Sequence, residues 1–307
     1  MNTNSVVTKL SEKWSTLWND QKAAAPTGLA ACSRMDSEAH TRVTPAERVG
    51  IMFGGCCADM LVNYPLWIVA KRLSAGLGLP AVSEIYKGST SLLVAFGPMV
   101  LLQDGSTGEL LRHFEGKIQS QTVAHATAAC ISGGIGALFV GSQIEGMITH
   151  AHATKQTVAQ AAGSMYRTGG LSAIALPYGA LAMVGREVPY AGSLFFLSGW
   201  IRSRVHGTWP VSDEPGLAAS RVPRDMLSAA VTASIAGPLS QAPSVVAAYQ
   251  QAHQVSLSSA CQRIAAAGGA AGFFGGLIPR TLSLAGSLFV MPFTVETLQP
   301  MVERMRM

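Results

Sequence analysis

Three segments of this chain repeat one short pattern, and the repeat restricts the fold more than any other feature of the sequence. In each segment a box containing an aromatic residue and a glycine is followed, twelve residues after its start, by a Pro or a Gly. The three copies are Tyr86-Lys87-Gly88 with Pro98, Pro177-Tyr178-Gly179 with Pro189, and Phe274-Gly275-Gly276 with Gly286. Corresponding points lie roughly a hundred residues apart, so the chain is built from three similar units.

A second motif precedes each box in the same order. Its copies are Pro65-Leu-Trp67-Ile-Val-Ala70, Gln143-Ile-Glu145-Gly-Met-Ile148 and Ala242-Pro-Ser244-Val-Val-Ala247. Together the two motifs resemble those of the mitochondrial carrier family, in which odd helices carry Pro-x-acid-x-x-base and even helices begin at an aromatic-basic-Gly box. The resemblance covers about residues 45–307. It implies an all-α membrane protein, a mitochondrial-carrier-type bundle of six tilted transmembrane helices in three pseudo-symmetric repeats.

The predicted domains are a polar extension at 1–44 and carrier repeats at 45–115, 116–210 and 211–307. Apolar runs predict helices at 46–75, 89–113, 121–152, 170–204, 222–252 and 275–303, several longer than the ~20 residues that span a bilayer. Small residues such as Gly54 and Gly133 recur in the odd helices, which is typical of helices that approach closely in lipid. In the extension, the spacing from Val6 to Trp18 predicts an amphipathic helix for a membrane surface or a partner groove, or else a solvated tail.

The composition agrees with a membrane protein. Charged residues make up only 13% of the chain, compared with about 25% in soluble proteins, and the mean hydropathy is +0.30. The net charge of +5 favours contact with anionic lipid headgroups, and no basic cluster interleaved with aromatics indicates nucleic acid. Five cysteines without a C-x-x-C pair argue against a disulfide framework or a metal site. No catalytic motif is present, so an enzyme is not expected.

In the carrier family, the acid and base of each odd-helix motif pair with neighbouring helices and close the matrix side of a central cavity. The equivalent positions here are Trp67 and Ala70, Glu145 and Ile148, and Ser244 and Ala247, with the motif proline kept at Pro65. One of six expected charges survives. Glu145 has no base at a motif position, because Lys71 and Arg72 lie outside the register. The sequence predicts a degenerate matrix gate, unless a divergent transporter gates with other residues.

Family even helices end in an acid-x-x-base pattern that forms a second gate on the opposite, outer side. The predicted remnants of this outer gate are Glu109, Arg112, Arg202, Glu296 and Gln299. The alternative for the two arginines is that their side chains extend to the lipid headgroups.

Arg186 and Glu187 precede Pro189 within an apolar helix. A charged pair at membrane depth normally faces a water-filled cavity or another polar group. The resemblance implies that these positions contact substrate, and an Arg-acid pair there is similar to that of carriers of amino-acid-like substrates. Asp59 is a further candidate cavity residue and the candidate partner of Arg186. The alternative is that Arg186 and Glu187 only brace helix contacts.

The resemblance also implies bound cardiolipin, whose phosphates carriers hold at helix N-termini through free backbone N–H groups. The candidate lipid-binding residues are Tyr86, Lys87, Gly88, Tyr178, Gly179, Phe274, Gly275 and Gly276. No cofactor other than this lipid is expected.

Two functions fit these features. The loss of the matrix gate favours a carrier-fold protein of the mitochondrial inner membrane that no longer transports and serves as an accessory subunit of a larger assembly, such as a respiratory complex. The alternative is a divergent carrier that exchanges a small anion or an amino-acid-like metabolite, for which Arg186 and Glu187 are the motive. A carrier relative in the outer membrane or in organelle shaping stays open.

Overall fold

A computed structural model describes residues 45–114, 117–193, 197–208 and 218–305. All regular secondary structure in these ranges is helical. The predicted extension at 1–44, with its amphipathic helix, lies outside the described residues.

Ten α-helices are described: α1 (Pro45–Ser74), α2 (Ser89–Phe114), α3 (Gln121–Gly136), α4 (Ser142–Thr154), α5 (Val158–Ala175), α6 (Ala180–Gly192), α7 (Ser198–Thr208), α8 (Ala218–His253), α9 (Leu257–Gly268) and α10 (Leu277–Arg304). A π-helical segment, Ala137–Gly141, joins α3 directly to α4. Short 3-10 helices lie at Val82–Glu84 and Gly269–Phe274.

The predicted helix at 170–204 is wrong at its beginning. The chain breaks between α5 and α6, where Gly179 adopts the left-handed conformation at φ 93° and caps the new helix. Because that conformation is strained for residues with a Cβ, glycine is the residue expected at such a boundary. Apolar residues on both sides of the break favoured one long helix, although the box Pro177-Tyr178-Gly179 lies at the break.

Two short helices, α5 and α9, were not predicted. Each begins at a hydroxyl N-cap, where Thr157 accepts from the Gln160 backbone and Ser256 accepts from the Ser259 backbone. In each case the next glycine with positive φ lies thirteen residues after the cap, at Gly170 (φ 64°) and Gly269 (φ 57°). The segment between α1 and α2 has only the 3-10 helix at the corresponding place.

Three helical stretches are long and apolar enough to cross a membrane: Gly50–Ser74, Val123–Thr154 and Leu257–Arg304. A fourth span results if α5 and α6, which bend by 42° at their break, are counted as one. Within the described ranges, the structure therefore has the helices of a multi-pass membrane protein.

The helices pack in a closed sequence around a central space. α1 packs on α2, α2 on α3, α3 on α6, α6 on α8, α8 on α10, and α10 returns to α1. Small residues lie at two of these contacts, because a Cβ at Gly55 would approach Val295 at 3.2 Å and one at Gly133 would approach Ala191 at 3.4 Å. The prediction that glycines allow close helix approach is confirmed at these positions.

Three charged side chains are buried in this bundle, whereas large apolar side chains lie on its surface. Lys71, Glu145 and Arg186 are each at most 7% exposed, whereas Leu61 and Leu181 are 70% and 75% exposed. A soluble protein rarely buries such charges unless they are paired, and single exposed leucines are ordinary. The combination of a charged interior and an apolar exterior fits helices whose outer surface contacts lipid.

Candidate functional site

A central cavity of about 250 Å³ lies between the packed helices. Its wall is formed chiefly by α1 and α10, with smaller contributions from α2, α4, α6, α7 and α8. It extends from Lys71 near the end of α1 to Glu296 in the second half of α10. This volume is just below the ~300 Å³ at which pockets for drug-sized ligands begin, so the cavity fits a small metabolite.

Four charged side chains form a cluster at one end of the cavity, which we call the Glu145 cluster: Lys71, Glu145, Arg186 and Glu187. Both nitrogens of the Arg186 fork donate to Glu145, from Nη1 to Oε2 at 2.9 Å and from Nη2 to Oε1 at 2.8 Å. Lys71 Nζ donates to the same Oε2. Arg186 also donates to Glu187 Oε1, at 2.9 Å from Nε and 2.6 Å from Nη2.

The Glu145 cluster corrects the expectation that Glu145 lacks a base. Lys71 lies one residue beyond the motif position of Ala70, yet its long side chain reaches Glu145 from α1. The same ammonium lies 5.5 Å from the ring centroid of Trp67, which adds a cation–π contact. Ion pairs therefore join α1, α4 and α6 at this end of the cavity, through a base that the motif does not identify.

Asp59 lines the cavity but does not pair with Arg186, so this predicted partnership is wrong. Its Oδ1 accepts from Asn63 Nδ2 at 2.6 Å, and Ser287 on α10 makes a second hydrogen bond to the carboxylate. Arg186 is instead held by the two glutamates of its own cluster. The predicted contact between Arg186 and Glu187 is present.

The other positions of the predicted matrix gate are occupied by small or apolar side chains. Ala70, Ile148 and Ala247 are 5%, 0% and 1% exposed. Trp67 and Ser244 line the cavity, and Pro65 lies within α1. On α8, therefore, a hydroxyl and a methyl group stand where the family has an acid and a base.

Three box glycines lie against these positions in cyclic order. A Cβ on Gly276 would lie 2.6 Å from the carbonyl oxygen of Ala70, and one on Gly179 would lie 2.8 Å from that of Ala247. A Cβ on Gly88 would lie 3.0 Å from Ile148 Cγ1. All three glycines have positive φ, between 73° and 93°. The starts of α2, α6 and α10 thus contact α4, α8 and α1, respectively, each at the position that corresponds to the motif base.

The predicted outer-gate residues separate into two groups. Arg202 is bound by Asp225 on α8, with Nε 3.0 Å from Oδ1, and lies 3.5 Å from Glu296 on α10. Its side chain is 12% exposed, so it is an interhelical ion-pair residue and does not extend freely to headgroups. Glu109 and Arg112 form a separate i,i+3 pair on α2, and both side chains are more than 70% exposed. Gln299 faces its own helix, where it donates to Glu303 at 3.1 Å.

The candidate lipid-binding residues are only partly free. The aromatic rings of Tyr86, Tyr178 and Phe274 are about half exposed, although the Tyr86 hydroxyl donates to the Leu61 carbonyl at 2.8 Å. The Gly275 carbonyl accepts from Ser74 and Gln241, and Lys87 Nζ lies 3.5 Å from the Ala151 carbonyl. Lipid binding at these boxes stays a prediction.

Three cavity residues escaped the sequence reasoning: Lys71 as a gate residue, Arg280 on α10 and Asp225 on α8. Arg280 Nη2 donates to Ser240 Oγ at 3.2 Å, and its Nε is buried without a partner. The available signal was the presence of a charge within an apolar helix, which marks a functional position by itself. These three residues lie outside the motif positions, so the motif spacing did not identify them.

No protein-family model matches this chain, and no curated protein matches it.

Proposed function

We propose that this chain is a divergent carrier-type membrane protein that exchanges a small charged solute through its central cavity by alternating access. The observation that carries the proposal is the Glu145 cluster, in which one carboxylate receives bases from two other helices at one end of the cavity. A second interhelical group, centred on Arg202, lies at the other end. Alternating access needs contacts that close one end while those at the other end break.

The energetics of buried charges support this function over a purely structural one. Removing two ions from water costs several kcal/mol per ion, and apolar residues of similar volume often give equal or greater stability. A protein that only needed a rigid bundle would gain little from charges at membrane depth. Ionisable groups in such positions are functional by default, because they line solute pathways or switch between partners.

Internal symmetry supports the six-helix, three-repeat arrangement. The cyclic contacts of Gly88, Gly179 and Gly276 with the next odd helix repeat once per unit. The thirteen-residue spacing in α5 and α9 occurs in the second and third units. The closed packing order runs through six helices, two from each unit: α1, α2, α3, α6, α8 and α10. The resemblance to carriers then favours the mitochondrial inner membrane, with cardiolipin at the box helices.

The test is solute exchange by the full-length chain reconstituted in liposomes and loaded with a panel of anions, zwitterions and cations. We expect counter-exchange for at least one class, and its loss in Glu145→Gln. The matched control is Glu109→Gln, which removes a carboxylate that pairs with an arginine on the surface of α2. Absence of exchange across the panel, together with no ligand-induced thermal shift, would overturn the proposal.

A second candidate function is an accessory subunit of an inner-membrane assembly, such as a respiratory complex. One observation favours it: among the described residues, α8 contributes no ion pair to the Glu145 cluster, and Ser244 and Ala247 stand at its motif positions. A bundle whose ion pairs join α1, α4 and α6 but leave out α8 has a weaker switch than one in which all three units contribute. Native gel separation of gently solubilised membranes distinguishes the two functions. Comigration with a megadalton assembly favours the accessory subunit, and migration as a free chain opposes it.

A further inference from the structure

Nine charged side chains line the central cavity, and seven of them form ion pairs with one another. The other two are Asp59 on α1 and Arg280 on α10. Among the residues that the structure describes, neither has an oppositely charged group within ion-pair distance. The cavity therefore presents one cation and one anion whose charges the protein leaves unpaired.

Arg280 has donors to spare. A guanidinium carries five N–H groups, and Arg280 makes one hydrogen bond to a neutral hydroxyl while its Nε has no partner. Two carboxylates, Glu145 and Glu187, interact with it electrostatically, but both are bound by Arg186. Lys71, Arg186 and Arg280 carry three positive charges against two negative ones, which leaves this end of the cavity with a charge of +1 for an anion.

Asp59 is a carboxylate without a cationic partner among the described residues. Its hydrogen bonds come from Asn63 and Ser287, which are neutral. An ionisable group near it is Tyr190 on α6, whose phenol interacts electrostatically with both Asp59 and Glu187. An unpaired carboxylate at membrane depth is costly, and a cationic group of a solute would remove that cost.

The spacing along α10 indicates how far apart the two charges of a ligand would lie. Arg280 and Ser287, the partner of Asp59, are seven residues apart, or about 10 Å along the helix axis. Resting on the proposed function, we infer that the cavity binds a small zwitterion, with its anionic group at Arg280 and its cationic group at Asp59. The two groups of such a solute are separated by several bonds. Arg186, the position favoured by resemblance, is engaged by two glutamates and takes no part in this binding.

A matched series of five-carbon probes tests the inference: 5-aminopentanoate, pentanoate, pentylamine and glutarate. The full-length protein in detergent is titrated with each probe by calorimetry and thermal shift. We expect 5-aminopentanoate to bind at least about tenfold tighter than either singly charged probe, because each of those probes lacks one of the two charge-assisted contacts. Tighter binding of glutarate or of pentylamine would overturn the zwitterion assignment.

Two variants locate the charges. Asp59→Asn should abolish the preference for 5-aminopentanoate over pentanoate, whereas Arg280→Gln should abolish its preference over pentylamine. Arg112→Gln, in the exposed pair on α2, is the control and should change neither ratio. If none of the probes binds but liposome exchange of another solute is measurable, the zwitterion inference fails and the carrier proposal survives. If neither binding nor exchange occurs with any solute, both fail.

Discussion

Replacing Glu145 with Gln is the sharpest perturbation of this structure. The variant keeps the size and shape of the side chain but removes the charge that Lys71 and Arg186 share. It leaves the two buried cations Lys71 and Arg186, together with the partly buried Arg280, facing the single carboxylate of Glu187. The amide nitrogen of Gln, itself a hydrogen-bond donor, would also replace a carboxylate oxygen that accepts hydrogen bonds from Lys71 or Arg186.

The expected loss of stability follows from these contacts. Three charge-assisted hydrogen bonds reach Glu145, two from Arg186 and one from Lys71. Removing one partner of a buried ionic group costs about 3–5 kcal/mol, because the remaining charges stay buried without compensation. For a chain of this size, that loss lowers the thermal midpoint by on the order of 10 °C.

The assay is thermal unfolding of the purified chain in detergent, with Glu109→Gln as the matched control. Glu109 also accepts from an arginine, at 2.6 Å, but its side chain is 74% exposed. Exposed pairs contribute about 0–1 kcal/mol, so the control should unfold close to the unmodified chain. If the two variants had the same midpoint, Glu145 would not be buried among cations, and the reasoning about the gate would be wrong.

Three further predictions follow from named contacts. Gly276→Ala should lower the thermal midpoint, because φ is 73° and the added Cβ would lie 2.6 Å from a backbone oxygen of α1; Gly199→Ala, in open space on α7, should leave it unchanged, and equal midpoints would contradict this. Ile148→Ala should cost about 2–5 kcal/mol of the free energy of unfolding, because the side chain is 0% exposed; a loss within error would mean that the site collapses without a cavity. Asp225→Asn should slow liposome exchange but leave solute binding intact, because it acts on Arg202 at the opposite end of the cavity from the Glu145 cluster; a parallel loss of binding would count against separate roles for the two ends.

The sequence predicted helix positions better than helix breaks. The predicted 46–75, 89–113 and 275–303 agree with α1, α2 and α10 to within a few residues, because long apolar runs determine them. The break at Gly179 lies inside such a run, although the box Pro177-Tyr178-Gly179 marks it locally as a helix start. The need for glycine itself also comes from the backbone of α8, nearly seventy positions away, which leaves no room for a Cβ at residue 179.

Predictions of charge partners were less successful, for a related reason. Motif register identified Glu145, and membrane depth identified Arg186, but their pairing crosses from α4 to α6 and could not be inferred from spacing alone. Lys71 was set aside because it lies one position, or about 100° of helix rotation, from the motif base. A lysine side chain is long and flexible enough to cover that offset, so register excludes short side chains more firmly than long ones.

This tolerance changes how degeneracy in a repeat protein should be judged. The motif retains one of six gate charges, which favours a protein that has lost its switch. The structure shows that Glu145 binds two bases from outside the motif, so ion pairs join α1, α4 and α6 without a base at a motif position. An ionic link of this kind needs opposite charges, side chains long enough to meet, and a buried site. Residues at different sequence positions can meet these requirements. A motif match therefore measures how many residues agree with a family pattern. The capacity to switch depends instead on whether α1, α4 and α6 are joined through a shared carboxylate.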